Sequence, residues 1–432
     1  MFAAVKRLPS YFGAWFGVAV AVGSMIGAGI LRAPHDAAAL LPSIPWFVGI
    51  WVLGGLYALL GANAIAELGA MRPRSGGQYA IAEHAFGPFT GFAVGWSDWL
   101  SCCGSVAAVS IVLAEAAAAL MGAPRAVMPL SLAAVIAAGA LLWQGSRTVN
   151  ASQQLTSAAK FLGFMVLTAA CLAWGLGHER AADAPRLTPP PALLTGLVLA
   201  LQGVIFAYDG WVGIMYFGEE TRDPARDIPR ALFGGVLAVM GVYVLLNLAL
   251  VVVLPLHAIA ADALPTASAA MVVFGGGGET AVRLLVIVAL PSGILANLGM
   301  GTRVMFSLGR DTSRLSALGS ASVAGAPRAA ILVSTLVAVA FVTTGTFRQV
   351  IAICSVLFVA SYAVSFAALF RLRAKEPDTP RPWRAIGHPF STGLVLLGSI
   401  AFLIGTAMAA PRDALIGASL VVASYPVFRL LR

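Results

Sequence analysis

A bundle of membrane-spanning helices is the fold class this 432-residue chain predicts. Three observations predict it: 59% of the residues are hydrophobic, only 10% are charged, and the apolar runs reach around 20 residues. Mean hydropathy is +0.90, above the range of water-soluble domains. A spanning helix needs about 20 apolar residues, whereas a barrel strand needs about ten with alternation. The runs here have helix length, so the architecture is all-α. The formal charge of +9 does not mark a nucleic-acid surface, because the arginines are spread over short loops as topology determinants. Cys102, Cys103, Cys171 and Cys354 lie inside apolar runs without metal or disulfide spacing and read as packing residues.

Span 1 covers 11–32. Lys6 and Arg7 before it resemble the start of a signal peptide, but the apolar run is longer than a signal core. Within it, Gly23-Ser24-Met25-Ile26-Gly27-Ala28-Gly29 places three glycines and a serine in seven residues. Each glycine costs about 1 kcal/mol relative to alanine in a helix interior. Unwound backbone at membrane depth is tolerated only where protein or a polar cavity surrounds it, so this break predicts a site. The remaining spans are 45–68, 88–121, 126–145, 152–176, 192–218, 229–254, 279–308, 327–345, 347–370, 389–409 and 412–430, twelve in all. Lys and Arg are in excess in alternate loops, which predicts that both termini are cytoplasmic, in the cytoplasmic membrane.

Between spans 2 and 3, Arg72-Pro73-Arg74-Ser75-Gly76-Gly77-Gln78-Tyr79 is a polar turn into a short segment ending at Phe86-Gly87-Pro88. It is expected to form an inner cap or a re-entrant helix. Span 6 carries a second break, Phe206-Ala207-Tyr208-Asp209-Gly210-Trp211, followed by a charged, solvated loop from Glu219 to Arg230. Gly275 to Gly278 has no strand before it and reads as a flexible outer loop rather than a phosphate loop. If spans 1–5 and 6–10 are repeats, each opens on a broken helix, and an odd number of spans inverts the second. Residues 1–176, 177–388 and 389–432 are then the first repeat, the second repeat with its loops, and two added helices. Paired interruptions at matching positions point to the binding site of a transporter.

Lys160, one of three lysines, falls inside span 5. Unpaired it would cost roughly 2.5 to 3.5 kcal/mol on insertion scales, so it needs a partner or a role; the competing reading is snorkelling to the interface. Asp98 and Asp209 are carboxylates in apolar runs, and Glu115 lies near the outer surface. Asp98, Ser101, Cys102 and Ser105 recur at helical spacing and give span 3 a polar face. The chain has no HExxH or GxSxG, its five histidines fall in loops or at span ends, and no lysine follows a glycine. These features argue against a membrane enzyme and an ATP-driven pump, and no filter-like loop suggests a channel.

The GSMIGAGI break, EL…PRSGGQYA at 67–80, FAYDGW with EETRDPARDIPRA at 206–231, Arg303 with GRD at 309–311, and LRAKEPDTPRPWR at 372–384 together resemble the amino acid-polyamine-organocation (APC) superfamily. Within it the chain is most similar to the L-type amino acid transporters and their bacterial relatives. The resemblance implies the leucine-transporter fold, alternating access, and a small amino acid or amine as substrate. The N–H groups of Ile26 through Gly29, with the Ser24 hydroxyl, would then hold the carboxylate, aided by the helix dipole. Ala28 stands where the family often has serine.

The ammonium would lie against carbonyls around Met25, Phe206, Ala207 and Asp209, with Tyr208 and Gly210 in the same break; Phe206, Tyr208 and Trp211 could gate the pocket. Asp98, Ser101, Cys102, Ser105 and Asn297 would line the side-chain pocket. Lys160 resembles a replacement for a sodium ion, linking span 1 carbonyls near Val22 to Met25 with Pro291-Ser292-Gly293, and a buried ammonium can lose and regain a proton during a cycle. No cofactor is implied beyond a coupling proton, and the partners implied are the substrate and the bilayer, with any partner subunit undetermined. A neutral substrate is preferred over a cationic amino acid or polyamine, because Asp209 belongs to a pattern found in neutral carriers. Asp209 is expected to pair with Lys160 or to hold a proton.

Overall fold

The computed structural model describes residues 13–431 except 75, 145, 180, 181, 183–190, 312, 313, 315, 316 and 321–325; Lys6 and Arg7 lie outside the described residues. The described residues form helices and no strand. Span 1 is two helices, α1 (Ala14–Met25) and α2 (Ala28–Leu40), bent by 46° at the glycine break. Next come α3 (Ile44–Met71), the short α4 (Gln78–Phe86), α5 (Pro88–Leu120), α6 (Val127–Trp143) and α7 (Ser146–Gly175). Span 6 is α8 (Leu193–Tyr208) followed by a 3-10 helix, Trp211–Glu220. The chain continues through α9 (Pro224–Val253), α10 (Leu256–Ala261), α11 (Pro265–Phe274) and α12 (Gly276–Asp311). It ends in α13 (Arg328–Thr344), α14 (Phe347–Lys375), α15 (Phe390–Ala409), α16 (Pro411–Val422) and α17 (Ser424–Leu431).

Nine described helical segments are long and apolar enough to span alone, and the bent α1–α2 pair makes ten. Two of the twelve expected spans fall short by length. α8 stops at the Asp209–Gly210 break, so neither half of span 6 crosses by itself. α13 has 17 residues, roughly 25 Å at the helical rise, against a hydrocarbon core of about 30 Å. Two expected loops shrink as well. α9 begins at Pro224, with Pro in its first turn, where it needs no backbone donor, so most of the charged stretch is helix. The glycine loop is reduced to Gly275, at φ 72, because α12 takes up Gly276. α4 is the short helix expected between spans 2 and 3.

α5 and α12 pack along each other at the centre, α14 lies against α5, and α9 packs on α1, α3 and α7. α15 turns Phe390, Leu394, Leu397, Ile404 and Met408 outward, as expected of a surface solvated by lipid.

The end of the bundle that carries Arg72, Arg373 and Arg381 is tied together by a polar cluster. Glu67, fully buried in the last turns of α3, accepts from Arg373 Nε at 2.9 Å and Nη2 at 2.6 Å, and from the Ala385 N–H at 2.7 Å. Arg381 Nε lies 3.1 Å from Glu67, and its Nη2 donates to the Leu372 and Glu376 carbonyls at the end of α14. Asn63 exchanges two hydrogen bonds with the Ile386 backbone. Glu67→Ala leaves two guanidinium groups facing each other without their anion. The expected loss is about 3 kcal/mol, the low end for a broken buried pair because Arg373 stays partly solvated, read as a lowered Tm in detergent; an unchanged Tm contradicts it.

Glu376, just past α14, accepts from His84 at 2.6 Å and Arg72 at 3.3 Å. Burial raises its pKa, but His84 and Arg72 outweigh this and the net shift is downward. A depressed carboxyl contributes stability above its unfolded pKa, about 4.3, and loses it as pH falls through the folded value. Glu376→Gln should therefore lower the Tm near neutrality and converge with wild type as the pH falls through the depressed folded value; a constant difference across pH refutes it.

Candidate functional site

The first break is built from backbone ends. The Ile26 N–H closes α1 on the Val22 carbonyl at 2.9 Å, so Ile26 is not a free donor, contrary to the sequence expectation. Gly27 is the N-cap of α2 and brings no side-chain cap, leaving the N–H groups of α2's first turn uncapped by side chains. Ser24 Oγ donates to the Val20 carbonyl at 2.8 Å; its proton is committed to its own helix, and it faces the break as an acceptor.

In the second break the Asp209 N–H bonds to the Phe206 carbonyl at 3.2 Å, and Gly210 turns the chain at φ 104. The two breaks touch. A methyl group on Gly29 would overlap the Ala207 backbone, and one on Gly210 would come within 2.7 Å of Ser24 Cβ. Gly29 thus also lets the two breaks pack closely.

Two side chains from other helices hold the break carbonyls. Lys160, 1% exposed, donates to the Gly23 carbonyl at 3.2 Å and to the Ile26 carbonyl at 3.3 Å. It therefore reaches the span 1 break rather than snorkelling to the interface. Among the described residues no hydrogen bond joins Lys160 to Ser292 of α12; Ser292 Oγ donates to Ala289 of its own helix at 2.7 Å. Nor does Lys160 pair with Asp209, which accepts instead from the Tyr362 hydroxyl of α14.

Tyr243 of α9 is the residue that sequence reasoning missed. Its hydroxyl lies 2.6 Å from the Met25 carbonyl and 2.9 Å from the Ala207 carbonyl, joining the two breaks directly. Both carbonyls had been assigned to an ammonium; each keeps a second lone pair for one. The available signal was Tyr243 and Asn247, one turn apart in an otherwise apolar run.

The polar face of α5 is buried but unevenly placed. Tyr216 of the 3-10 helix donates to both oxygens of Asp98, at 2.8 and 2.9 Å. Ser101 Oγ bonds back to Ser97 at 2.7 Å, so its hydroxyl proton is used within α5. Cys102 lies against α12, where a methyl on Gly301 would come within 2.9 Å of its Cβ. Ser105 is buried, and Asn297 donates to the Gly293 carbonyl at 2.9 Å, leaving its oxygen as an acceptor. The aromatics of the second break are packed. Tyr208 donates to the Trp51 carbonyl at 2.9 Å, Trp211 lies on Tyr362 with ring centres 5.1 Å apart, and Phe206 sits 6.4 Å from Phe347.

At the opposite end of the bundle, Arg32 pairs with Glu115 of α5 at 2.7 Å and Asp36 with Arg348 of α14 at 2.7 Å. α2 is thereby fastened to both helices beyond the break.

Interrupted helices meeting inside an apolar helical bundle are the arrangement of a membrane carrier. The family model described as amino acid permease matches residues 12–427, and the chain belongs to that family, within the APC superfamily. It is 25% identical over 414 residues to the serine/threonine exchanger SteT of Bacillus subtilis, covering 93% of this chain and 92% of that one. It is 26% identical to the b(0,+)-type amino acid transporter 1 of Mus musculus, covering 90% and 80%. It is 30% identical to the uncharacterized transporter Rv1999c of Mycobacterium tuberculosis, covering 96% and 90%. The protein is a multi-span membrane transporter and not an enzyme.

Proposed function

We propose that this protein carries amino acids across the cell membrane by alternating access, binding the α-amino and α-carboxyl groups between the two breaks. The observation that carries this reading is the contact of Gly29 with Ala207 and of Gly210 with Ser24. It sets the side-chain-uncapped N-terminus of α2, which attracts a carboxylate, beside the carbonyl end of α8, which accepts from an ammonium. The carboxylate donors are then Gly27, Ala28 and Gly29. The order of elements supports a leucine-transporter fold of twelve spans with 5+5 inverted repeats, two added helices and both termini cytoplasmic.

Neutral amino acids are the preferred substrates, moved by proton-coupled symport or by exchange, since Asp98 and Asp209 are already engaged by tyrosine hydroxyls. A second reading, a cationic amino acid or polyamine, is favoured by one observation: among the described residues neither carboxylate has a Lys, Arg or His partner.

A thermal-shift screen of the purified protein against L-amino acids and amines at two pH values tests the choice. Stabilisation by neutral zwitterions but not by amines lacking a carboxylate is expected. Stabilisation by diamines alone would overturn the zwitterion site, and linear, unsaturable flux in proteoliposomes would overturn the carrier.

A further inference from the structure

We propose that the Tyr216–Asp98 hydrogen bond is a proton-sensitive latch fixing the 3-10 half of span 6 to α5, with Asp98 the carboxylate whose protonation releases it. The proposal deepens the transport reading and rests on it only for the claim that this motion serves transport. One donor bridges both carboxylate oxygens: the Tyr216 hydroxyl lies 2.8 and 2.9 Å from them. Asp98 is 4% exposed and Tyr216 3%.

Among the described residues, the groups placed around Asp98 are acids, thiols and phenols. Cys102 lies one turn on in α5, Asp209 approaches from the second break, and Tyr362 of α14 is near. Tyr79 of α4 packs against Gly95, one turn before. A buried anion depends on its hydrogen-bond donor, and for Asp98 that donor is the Tyr216 hydroxyl.

A hydrogen bond to an ionised acceptor is roughly twice as strong as a neutral one. A proton added from solvent to one Asp98 oxygen removes the charge and leaves an ordinary bond; no other reactant is needed. The element so released is suited to move. Trp211–Glu220 runs ten residues in 3-10 geometry, whereas such runs rarely exceed three or four residues and often mark hinges. Its start is held by the Trp211–Tyr362 contact and its later part by Tyr216. By linkage, if protonation favours release by some factor, release favours proton binding by the same factor.

The test follows amide hydrogen exchange of residues 211–220 in the full-length protein in lipid nanodiscs, without substrate. Exchange is corrected for intrinsic rates and compared at about pH 8 and about pH 5.5. In wild type, exchange should accelerate at the lower pH by at least about fivefold, the lower bound of common coupling factors. Tyr216→Phe should exchange fast at both pH values. Asp98→Asn should lose the pH response, and Asp98→Glu should retain it. A wild type without a pH response, or an Asp98→Asn variant that keeps it, overturns the latch. If Asp98→Asn does not fold, slow and pH-responsive exchange in Tyr216→Phe overturns it instead. Failure of the transport reading would show in flux assays and leave this exchange pattern unchanged.

Discussion

Lys160→Ala should fold and reach the membrane, yet lose uptake by about a hundredfold or more. The variant deletes two charge-assisted hydrogen bonds, to Gly23 and Ile26 at 3.2 and 3.3 Å, that fix the carbonyl ends of the first break. Bonds to a charged group contribute about 1.5–3 kcal/mol each, and about 1.4 kcal/mol is a tenfold change. Because the cost falls on one conformation of the break, it should enter the transport rate more than the stability of the whole bundle. Lys160→Met keeps most of the volume without the charge, and should fail equally if the ammonium rather than the packing matters. Uptake into proteoliposomes at several pH values decides the point; wild-type uptake by Lys160→Ala at all of them would sink the assignment.

Gly29→Ala is the second large effect expected. In the first turn of a helix this change ordinarily stabilises, by up to about 1 kcal/mol. Here the added methyl overlaps the Ala207 backbone, and overpacking of a tight interior costs about 1–3 kcal/mol, so the clash sets the sign. The two breaks must separate, and substrate affinity and uptake should fall by at least about tenfold. Gly27→Ala is the control, because the nearest atoms to its added methyl, two carbonyl oxygens, are 4.0 Å away. Equal loss in both variants would show that glycine's flexibility, and not the approach of Ala207, is what the break requires.

The fold was readable where local pattern determines structure. Apolar run length located the helices, and the glycine cluster and Asp209–Gly210 located both breaks within a few residues. Lys160 stood out because charge is costly inside a bilayer, whereas its reach to span 1 was implied by the family resemblance, which named carbonyls near Val22 to Met25; the observed partners are Gly23 and Ile26. What escaped was carried by long-range pairs that no periodicity encodes. Tyr243 meets Met25 across 218 residues, Tyr216 meets Asp98 across 118, and Arg373 meets Glu67 across 306. A tyrosine in an apolar run looks like packing until the opposing carbonyl is known. Ile26 was misassigned for a related reason: its N–H found a partner four residues back in its own segment, satisfying the group that had been expected to reach outward.

The 3-10 geometry of Trp211–Glu220 also amounts to a stroke length. Ten residues at about 2.0 Å per residue span roughly 20 Å, whereas the same residues wound as an α-helix span roughly 15 Å. Rewinding this segment would shorten it by about 5 Å. The segment runs through Thr221 into the α9 start at Pro224, so the shortening would pull on α9. Tyr243 lies on that helix, and a contraction at one end of span 6 would thereby be felt at the hydroxyl that joins the two breaks.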